Sequence, residues 1–426
     1  MPNQGERPLR ILHAPRNVAG QAGDVVAALR RLGHEVELWQ DGPDAFGRAA
    51  DRVIDSAADA RTLLRDVWDA TGQFDVVHFH YAQSLVPRSR RDLPPYWDLP
   101  LYRALGMGVF FTFHGSDDIR IGRIFRDLNP WSAAVAGSTA TDDDRVEKSL
   151  QLMRTYADRL FVVSVNYLAY APDAQYLPRV IDLANWPRRP PVQRETPIVL
   201  HAPTRRANKG TDIVLADLDR LRRAGVDFEL RLLEGVSHDT IREAVGDADI
   251  VVDNVVAGSY GVVSIEAMSS SRVAVANLSD AVQLRHPDAP VVHVDPMTFY
   301  DEMRHLLTDR DRRLGLASRG RQFVETVHDA DLAARTLQTA YLAPRATEVR
   351  RGMPDWASLS RARRIEVLES AVDRLQAELR RSRLREAALR QRLELPDRAE
   401  SRARRMVRSA LPYEVRARLL RAVSRR

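Results

Sequence analysis

Along this chain the apolar residues fall into short β-branched runs that alternate with segments of helical period, and the alternation occurs in two blocks. Its densest stretch is residues 249–276, DIVVDNVVAGSYGVVSIEAMSSSRVAVA. Runs of this kind are buried on both faces of a parallel sheet. The stretch therefore predicts a strand, a glycine-bearing loop, a helix opening on Gly261 and Ser264 with Glu266 in its first turns, and a second strand. Gly258 and Gly261 let the backbone approach a ligand closely, while Ser259, Ser264 and Glu266 offer hydrogen-bonding groups at a helix N-terminus, a place suited to anions and sugar hydroxyls. The stretch reads as the floor of a nucleotide-sugar site.

The first block opens with a strand at 9–14, then PRNVAGQAGD, then the helical pattern VVAALRRLG closed by Gly33 as a C-cap. HEVELW completes a β-α-β unit. Two further strands, at 75–80 and 109–113, each end in histidine, within FDVVHFHY and VFFTFHGSDD. Ligands of open α/β sheets lie beyond the carboxyl ends of the strands, which puts Asn17, Gly20, His80, His114, Gly115 and Ser116 on one rim. Gly20 serves a tight β-to-α turn or makes room for a diphosphate, and a lone glycine does not choose between them. His80 and His114 lack a third ligand at metal spacing, which favours hydrogen bonding by His114 over a metal pair. Asp142, Asp143 and Asp144 precede the helical pattern RVEKSLQLMRTYADRL. They read as a helix start, where carboxylates cap free amides and suit the dipole, rather than as a metal-binding run. A strand follows at 160–165, and Pro187, Pro190 and Pro191 stiffen the linker that closes a first domain, residues 1–190.

The second domain, 191–343, restarts the alternation with PIVLHAPTRRANKGTDIVLADLDRLRRAG. After a strand at 197–202, a polar loop carries Arg205, Arg206, Asn208, Lys209 and Gly210, and Thr211 and Asp212 open a helix. Two guanidiniums, an ammonium and a helix N-terminus around one loop make a diphosphate clamp; a solvated basic loop is the plainer alternative. Strand FELRLLEG, helix HDTIREAVGDA and the 249–276 stretch complete a second doubly wound sheet, in which Asp253 ends its strand beside the site.

Composition narrows the chemistry. With 44% hydrophobic and 29% charged residues the bulk is ordinary globular material. No apolar run reaches the length of a membrane helix and the N-terminal MPNQGERPLR is polar, which leads to an expectation of a cytoplasmic protein. The chain has no cysteine, so disulfides, thiolate metal sites and cysteine nucleophiles are excluded together. Only Lys148 and Lys209 interrupt an otherwise all-arginine basic complement, a bias that suits a GC-rich bacterial genome; a lysine retained at Lys209 hints that its compact ammonium matters there.

Two Rossmann-like units joined by a proline-rich linker resemble the α/β GT-B architecture, two doubly wound domains facing a cleft. The run HAPTRRANKGTDI (201–213), followed by GSYGVVSIEAM (258–268), is similar to the retaining nucleotide-sugar glycosyltransferases of family four, which include bacterial mannosyl- and glucosyltransferases. The resemblance covers about residues 9–342 and is strongest at 201–276. It implies that Lys209, with Arg205 or Arg206, neutralises the donor diphosphate, that Glu266 holds the ribose hydroxyls, and that His114 lies beside the donor sugar. Asn17 and Gly20 would sit in the loop over the diphosphate, Gly261 is the motif glycine, and Tyr260 stands where the family has Phe. Catalytic roles thus fall to His114, Lys209 and Glu266, with Asn17, Gly20, Arg205, Arg206, Ser259, Tyr260 and Gly261 binding the donor. The chain departs from the pattern at Gly258, where the first acid of Glu-x7-Glu should stand; Ser259 is the candidate replacement contact. The resemblance implies no metal and no cofactor beyond the nucleoside-diphosphate sugar, and an Asp-x-Asp metal signature has no good counterpart on a strand end.

Beyond 343 the chain changes character. Ile365, Leu368, Val372, Leu375, Leu379, Leu389 and Leu393 keep an a/d register broken at Ser382 and Glu386, which predicts a coiled-coil helix within 344–396 and a homodimer through 365–393, with a helix packed on its own catalytic domain as the plainer alternative. Residues 397–426 hold ten arginines against Asp397, Glu400 and Glu414, a net +7 that leaves residues 1–396 at −1. Their apolar residues are spaced as in a basic amphipathic segment, suited to an anionic leaflet, and a solvated tail with no ligand is the plainer alternative. Nucleic acid is disfavoured by the lack of stacking aromatics, Tyr413 being the lone one in the tail. The expected activity is sugar transfer from a nucleoside-diphosphate donor to a polysaccharide, lipid-linked or other cell-envelope acceptor, in the cytoplasm or peripherally on the inner membrane face. A non-catalytic scaffold on the same fold, favoured by Gly258, and a sugar-nucleotide epimerase are the alternatives.

Overall fold

The computed structural model describes residues 7–44, 47–86, 95–115, 119–135, 142–192 and 194–344. The heptad segment 365–393, the basic tail 397–426 and Ser116 lie outside the described residues. Seven strands, β1 (Arg10–Ala14), β2 (Glu35–Asp41), β3 (Arg52–Ile54), β4 (Val76–His80), β5 (Gly108–Phe113), β6 (Arg159–Val162) and β7 (Gln175–Tyr176), form a sheet in the order β3-β2-β1-β4-β5-β6-β7. Five more, β8 (Ile198–His201), β9 (Glu229–Leu232), β10 (Ile250–Asn254), β11 (Val273–Ala276) and β12 (Val291–His293), form a second sheet in the order β12-β11-β10-β8-β9. Every pairing within both sheets is parallel. The alternation read from the sequence is thus the doubly wound pattern, and β4, β5, β10 and β11 are buried at every position.

Local chemistry sets the helix boundaries. Asp59, Asp142 and Ser279 sit at N-caps and accept from the amides of Thr62, Arg145 and Val282, satisfying donors that a first turn leaves over. The acidic run at 142–144 is therefore a helix start, and Asp143 also accepts from the Gly122 amide at 2.7 Å. Gly33 ends the first helix (Gln21–Arg31) at φ +91°, the left-handed conformation that a C′ residue adopts. Strands β3, β7 and β12, of two or three residues, are absent from the sequence reading because runs so short carry no periodicity. The strand expected at 160–165 ends at Val162, and Val165–Ala169 turns into a 3-10 helix.

The chain crosses between its two sheet units twice. After the linker, the helix Ala330–Leu342 leaves the second sheet and packs on the first. Its Ala330, Ala334, Leu337 and Tyr341 join Ile11, Val25, Leu29, Phe110 and Phe161 in one apolar cluster. A parallel bridge between Ile181 and Asp329, with Ile181 N donating to His328 O at 2.8 Å and Ala330 N to Ile181 O at 3.1 Å, clips the two crossings together. Arg31 adds ion pairs to Asp331 at 2.7 Å and Asp182 at 3.2 Å. The return helix is thus part of the first unit's core. Leu337→Ala should cost about 2–5 kcal/mol in urea denaturation, the range for emptying a core leucine site, whereas Leu332→Ala on the exposed face of the same helix should change stability by less than about 0.5 kcal/mol.

Candidate functional site

Strand order reverses between β1 and β4 in the first sheet and between β8 and β10 in the second. Open parallel sheets leave a crevice at such points, at the carboxyl edge. Two loops that the sequence singles out lie there: 15–20 after β1, and 202–210 after β8. In the first, Asn17 Oδ1 accepts from the Gly23 amide at 3.1 Å and Gly20, at φ +81°, turns the chain into its helix. In the second, Gly210 has φ +69°, and a Cβ there would lie 2.5 Å from Val255 Cγ2, so glycine is required twice over.

Beneath the second loop lies Asp253, buried in β10. Its Oδ1 is paired with Lys209 Nζ, and its Oδ2 accepts from the Gly261 amide and from Ser264 Oγ, the latter at 2.8 Å. Burial opposes the charge on Asp253, yet Lys209, the Gly261 amide and Ser264 outweigh it and hold the carboxyl below its usual range. Asp253 therefore fixes the start of the helix Val262–Ser269, on which Glu266 lies. Glu266 is buried, and its Oε1 accepts from His238 Nε2 at 2.7 Å. His238 opens the helix that follows β9, so the carboxyl edge of the second sheet supplies both partners.

Asn17 and Gly20 from the first unit, Ile181 and Trp186 from the crossing, and His238 and Glu266 from the second all line one cleft of about 710 Å³, counting its solvent-open part. Arg48, Arg242 and Asp24 complete the charged lining.

The other predicted residues are distributed as follows. Arg206 lies on the exposed side of its loop and pairs with Asp212 at 3.0 Å and Glu234 at 2.9 Å, and Arg205 is exposed beside it. Ser259 Oγ is 3.4 Å from Ser164 Oγ across the two units, and Tyr260 is buried with its hydroxyl 3.0 Å from His328 Nε2. Gly258 has φ +68°; its carbonyl accepts from Asn166 Nδ2 at 2.8 Å and its amide donates to Asn277 Oδ1 at 2.8 Å. A Cβ at 258 would run into Asn129 Oδ1. His114 follows β5, with its Nε2 2.7 Å from His80 Nδ1. That separation is a hydrogen bond, since two ligands on one tetrahedral zinc would keep about 3.3 Å between them. Among the described residues no group of three or more His, Asp or Glu is placed to hold a metal.

No family model matches the chain, and no curated protein does. Solved structures do. Sucrose-phosphate synthase from Thermosynechococcus elongatus is 16% identical at TM-score 0.56, covering 79% of this chain and 98% of that one. The catalytic domain of starch synthase IV from Arabidopsis thaliana, bound to ADP and acarbose, is 12% identical at TM-score 0.51, covering 79% and 99%. WaaG, a glycosyltransferase involved in lipopolysaccharide biosynthesis, is 10% identical at TM-score 0.52, covering 78% and 100%. The chain has the GT-B fold.

Within this GT-B frame several cleft residues escaped the sequence reading. His238, after Ser237, follows a strand and opens a helix, so the strand-edge rule that selected Asn17 would have selected it as well. Arg48, Trp186 and Arg242 carry no local signal, being brought in by the turn after β2, the crossing and the second turn of a helix. Asp24 is half-buried in the same cleft. Burial pushes its carboxyl up to about 7, Asp182 and Glu266 add repulsion, and the Asp182 amide and Arg48 oppose them. The folded chain then holds a proton that the unfolded chain releases near pH 4, so this group's contribution falls as pH rises from about 4 to about 7. Asp24→Asn should match the wild type in urea denaturation at pH 4 and exceed it at pH 8, on the order of 2 kcal/mol once partial exposure is discounted. Parallel stability profiles for the two proteins would contradict the shift.

Proposed function

We propose that the chain is a glycosyltransferase that moves a sugar from a nucleoside-diphosphate donor to a saccharide, lipid-linked or other cell-envelope acceptor. The observation that carries this reading is the single cleft in which loop 15–20 of the first unit faces Glu266 and His238 of the second. An ammonium has three donors, and Asp253 engages Lys209 Nζ through one carboxylate oxygen, which leaves directions for diphosphate oxygens on a side chain still 21% exposed. Arg205 and Arg206 would add charge, Arg206 by exchanging its surface acids for phosphate, an exchange that favours the bidentate partner. Glu266 would take ribose hydroxyls, alone or together with His238. Asn17 and Gly20 would cover the diphosphate, and Ser259, Tyr260 and Gly261 would border the sugar end. Support for a nucleotide donor also comes from neighbours of the same fold, one bound to ADP and another an alpha-glucosyltransferase in complex with UDP-glucose and DNA, at TM-score 0.53.

Retention of configuration and metal independence rest on the resemblance of 201–213 and 258–268. In that scheme the leaving diphosphate is stabilised by Lys209 and helix N-termini, with no covalent nucleophile. The homodimer and the docking of 397–426 on an anionic membrane surface belong to the same proposal and rest on the heptads and the charge of the appendage.

Gly258 favours a second reading, a non-catalytic scaffold on the same fold. Its left-handed backbone strains any residue with a side chain, and a Cβ there would displace the Asn129 amide, so the position as it stands does not suit the acid that the family pattern places there.

A thermal-shift panel of UDP- and GDP-sugars separates the two readings. A donor at 100 times its dissociation constant should stabilise the fold by about 2.7 kcal/mol. Glu266→Ala should weaken that donor about ten- to a hundredfold, as expected for loss of a carboxylate bonded to hydroxyls. No shift with any donor would favour the scaffold, and an unchanged affinity in Glu266→Ala would sink the ribose assignment.

A further inference from the structure

The wall of the cleft continues beyond the Glu266–His238 bond through Trp186 and Arg242. His238 and Arg242 stand one turn apart on the helix His238–Asp247, a spacing that puts them on one face. Trp186, from the crossing, touches both. Its ring centroid is 6.4 Å from that of His238 in an edge-to-face contact, and Arg242 Cζ lies over the indole at 5.5 Å from the centroid, within the reach of a cation–π contact. Trp186 is itself buried, and its backbone is pinned on both sides, the amide donating to Leu183 O at 3.2 Å and the carbonyl accepting from Arg321. The guanidinium therefore rests on a fixed floor.

Its hydrogen-bonding capacity is unused. Among the described residues none of the five N–H donors of Arg242 meets an acceptor: Nη1 is 3.8 Å from Asp239 Oδ1, beyond hydrogen-bond length, and Nε is buried without a partner. A buried donor left unpaired is costly, and a ligand that presents acceptors relieves that cost. The other arginine of the cleft is placed differently. Arg48 lies 3.8 Å from Asp44, and its Nε would be 3.1 Å from a Cβ at Gly20, so it belongs with loop 15–20 of the first unit.

The covalent structure of a nucleotide then orders what lies along this wall. The two ribose hydroxyls sit between the carbon that carries the base and the carbon that carries the phosphate arm. With those hydroxyls on Glu266 and the diphosphate at Lys209, the base falls on the other side, where the contacts run on through His238 and Trp186 to Arg242. A guanidinium offers donors and no acceptor. Uracil meets it with O4 and guanine with O6 and N7, whereas cytosine and adenine put an amino group in the same place. We propose that Arg242 determines the specificity of the donor site, hydrogen-bonding the carbonyl of an oxo base, uracil or guanine, and so selecting it over the amino bases cytosine and adenine. The position of the ribose in this argument rests on the glycosyltransferase reading.

The test is isothermal titration of the full chain with UDP, CDP, IDP and ADP. Within each pair, UDP with CDP and IDP with ADP, the nucleotides are alike except at the oxo or amino edge, and IDP carries the O6 and N7 of guanine. The oxo member should bind about ten- to a hundredfold more tightly than its amino partner, the range over which an arginine fork discriminates between bases. The tighter of UDP and IDP tells a pyrimidine site from a purine site. Arg242→Met keeps an apolar stem on Trp186 and removes the donors, so the ratio within each pair should fall to about one through weaker binding of the oxo member, with CDP and ADP unchanged. Arg242→Lys keeps the charge without the fork and should lower the ratio as well. Equal affinities within both pairs, tighter binding of the amino members, or an equal loss on all four nucleotides in Arg242→Met overturns the proposal and leaves the nucleotide donor standing. Should none of the four bind, the nucleotide-donor reading itself falls, and the proposal with it.

Discussion

The buried carboxylate of Asp253 is the constraint on which the second unit's half of the cleft depends. It is desolvated inside β10 and cannot remain charged without compensation, and three groups from two places supply it: Lys209 from the loop after β8, and the amide of Gly261 and the hydroxyl of Ser264 at the next helix start. Satisfying one charge therefore fixes the positions of a cation, a motif glycine and the helix that carries Glu266. The Lys209 carbonyl accepts from the Val255 amide at 3.1 Å, which ties the same loop to the end of β10 by backbone. A lysine kept in a chain that otherwise uses arginine has its explanation here, since a compact ammonium reaches a single buried oxygen where a planar guanidinium would need room for its fork.

The two units are held in register by a different kind of contact. Gly258 is gripped by Asn166 and Asn277, and Ser279 donates both to its carbonyl, through its amide at 2.9 Å, and to Asn166, through its hydroxyl at 2.6 Å. Asn166 belongs to the first unit, so the loop where the family pattern places an acid has become a seam between units. A side chain at 258 would meet both a left-handed backbone and the Asn129 amide, which would have to move. The cleft around Glu266 is open by comparison.

What was legible in the sequence follows from which forces are local. Buried parallel strands announce themselves as β-branched runs, and caps such as Asp142 and turns such as Gly33 are written within a few residues. The carboxyl-edge rule selected Asn17 and Gly20, and the basic loop and the motif resemblance selected Lys209 and Glu266; of these Asn17, Gly20 and Glu266 line one cleft. Partnerships were not legible. Asp253 was read as a residue beside the site, and its pairing with Lys209, 44 positions away, is a property of strand order. His238 stood in a segment read only as a helix, and its bond to Glu266 depends on how two helices meet. The two strand-end histidines are visible in the sequence, but not that they bond to each other, and His13 and Tyr341, which extend that contact, sit on the first strand and the last helix and share no spacing.

Lys209 holds Asp253 charged, and the second unit's half of the cleft is assembled on that pair. A double-mutant cycle in urea with Lys209→Met and Asp253→Asn measures the coupling. Lys209→Met should cost about 3–5 kcal/mol, because it strands a buried carboxylate, and the double variant should recover much of that loss. Costs that add within about 0.5 kcal/mol would show the two residues to be independent and would rule out a site assembled on their pairing.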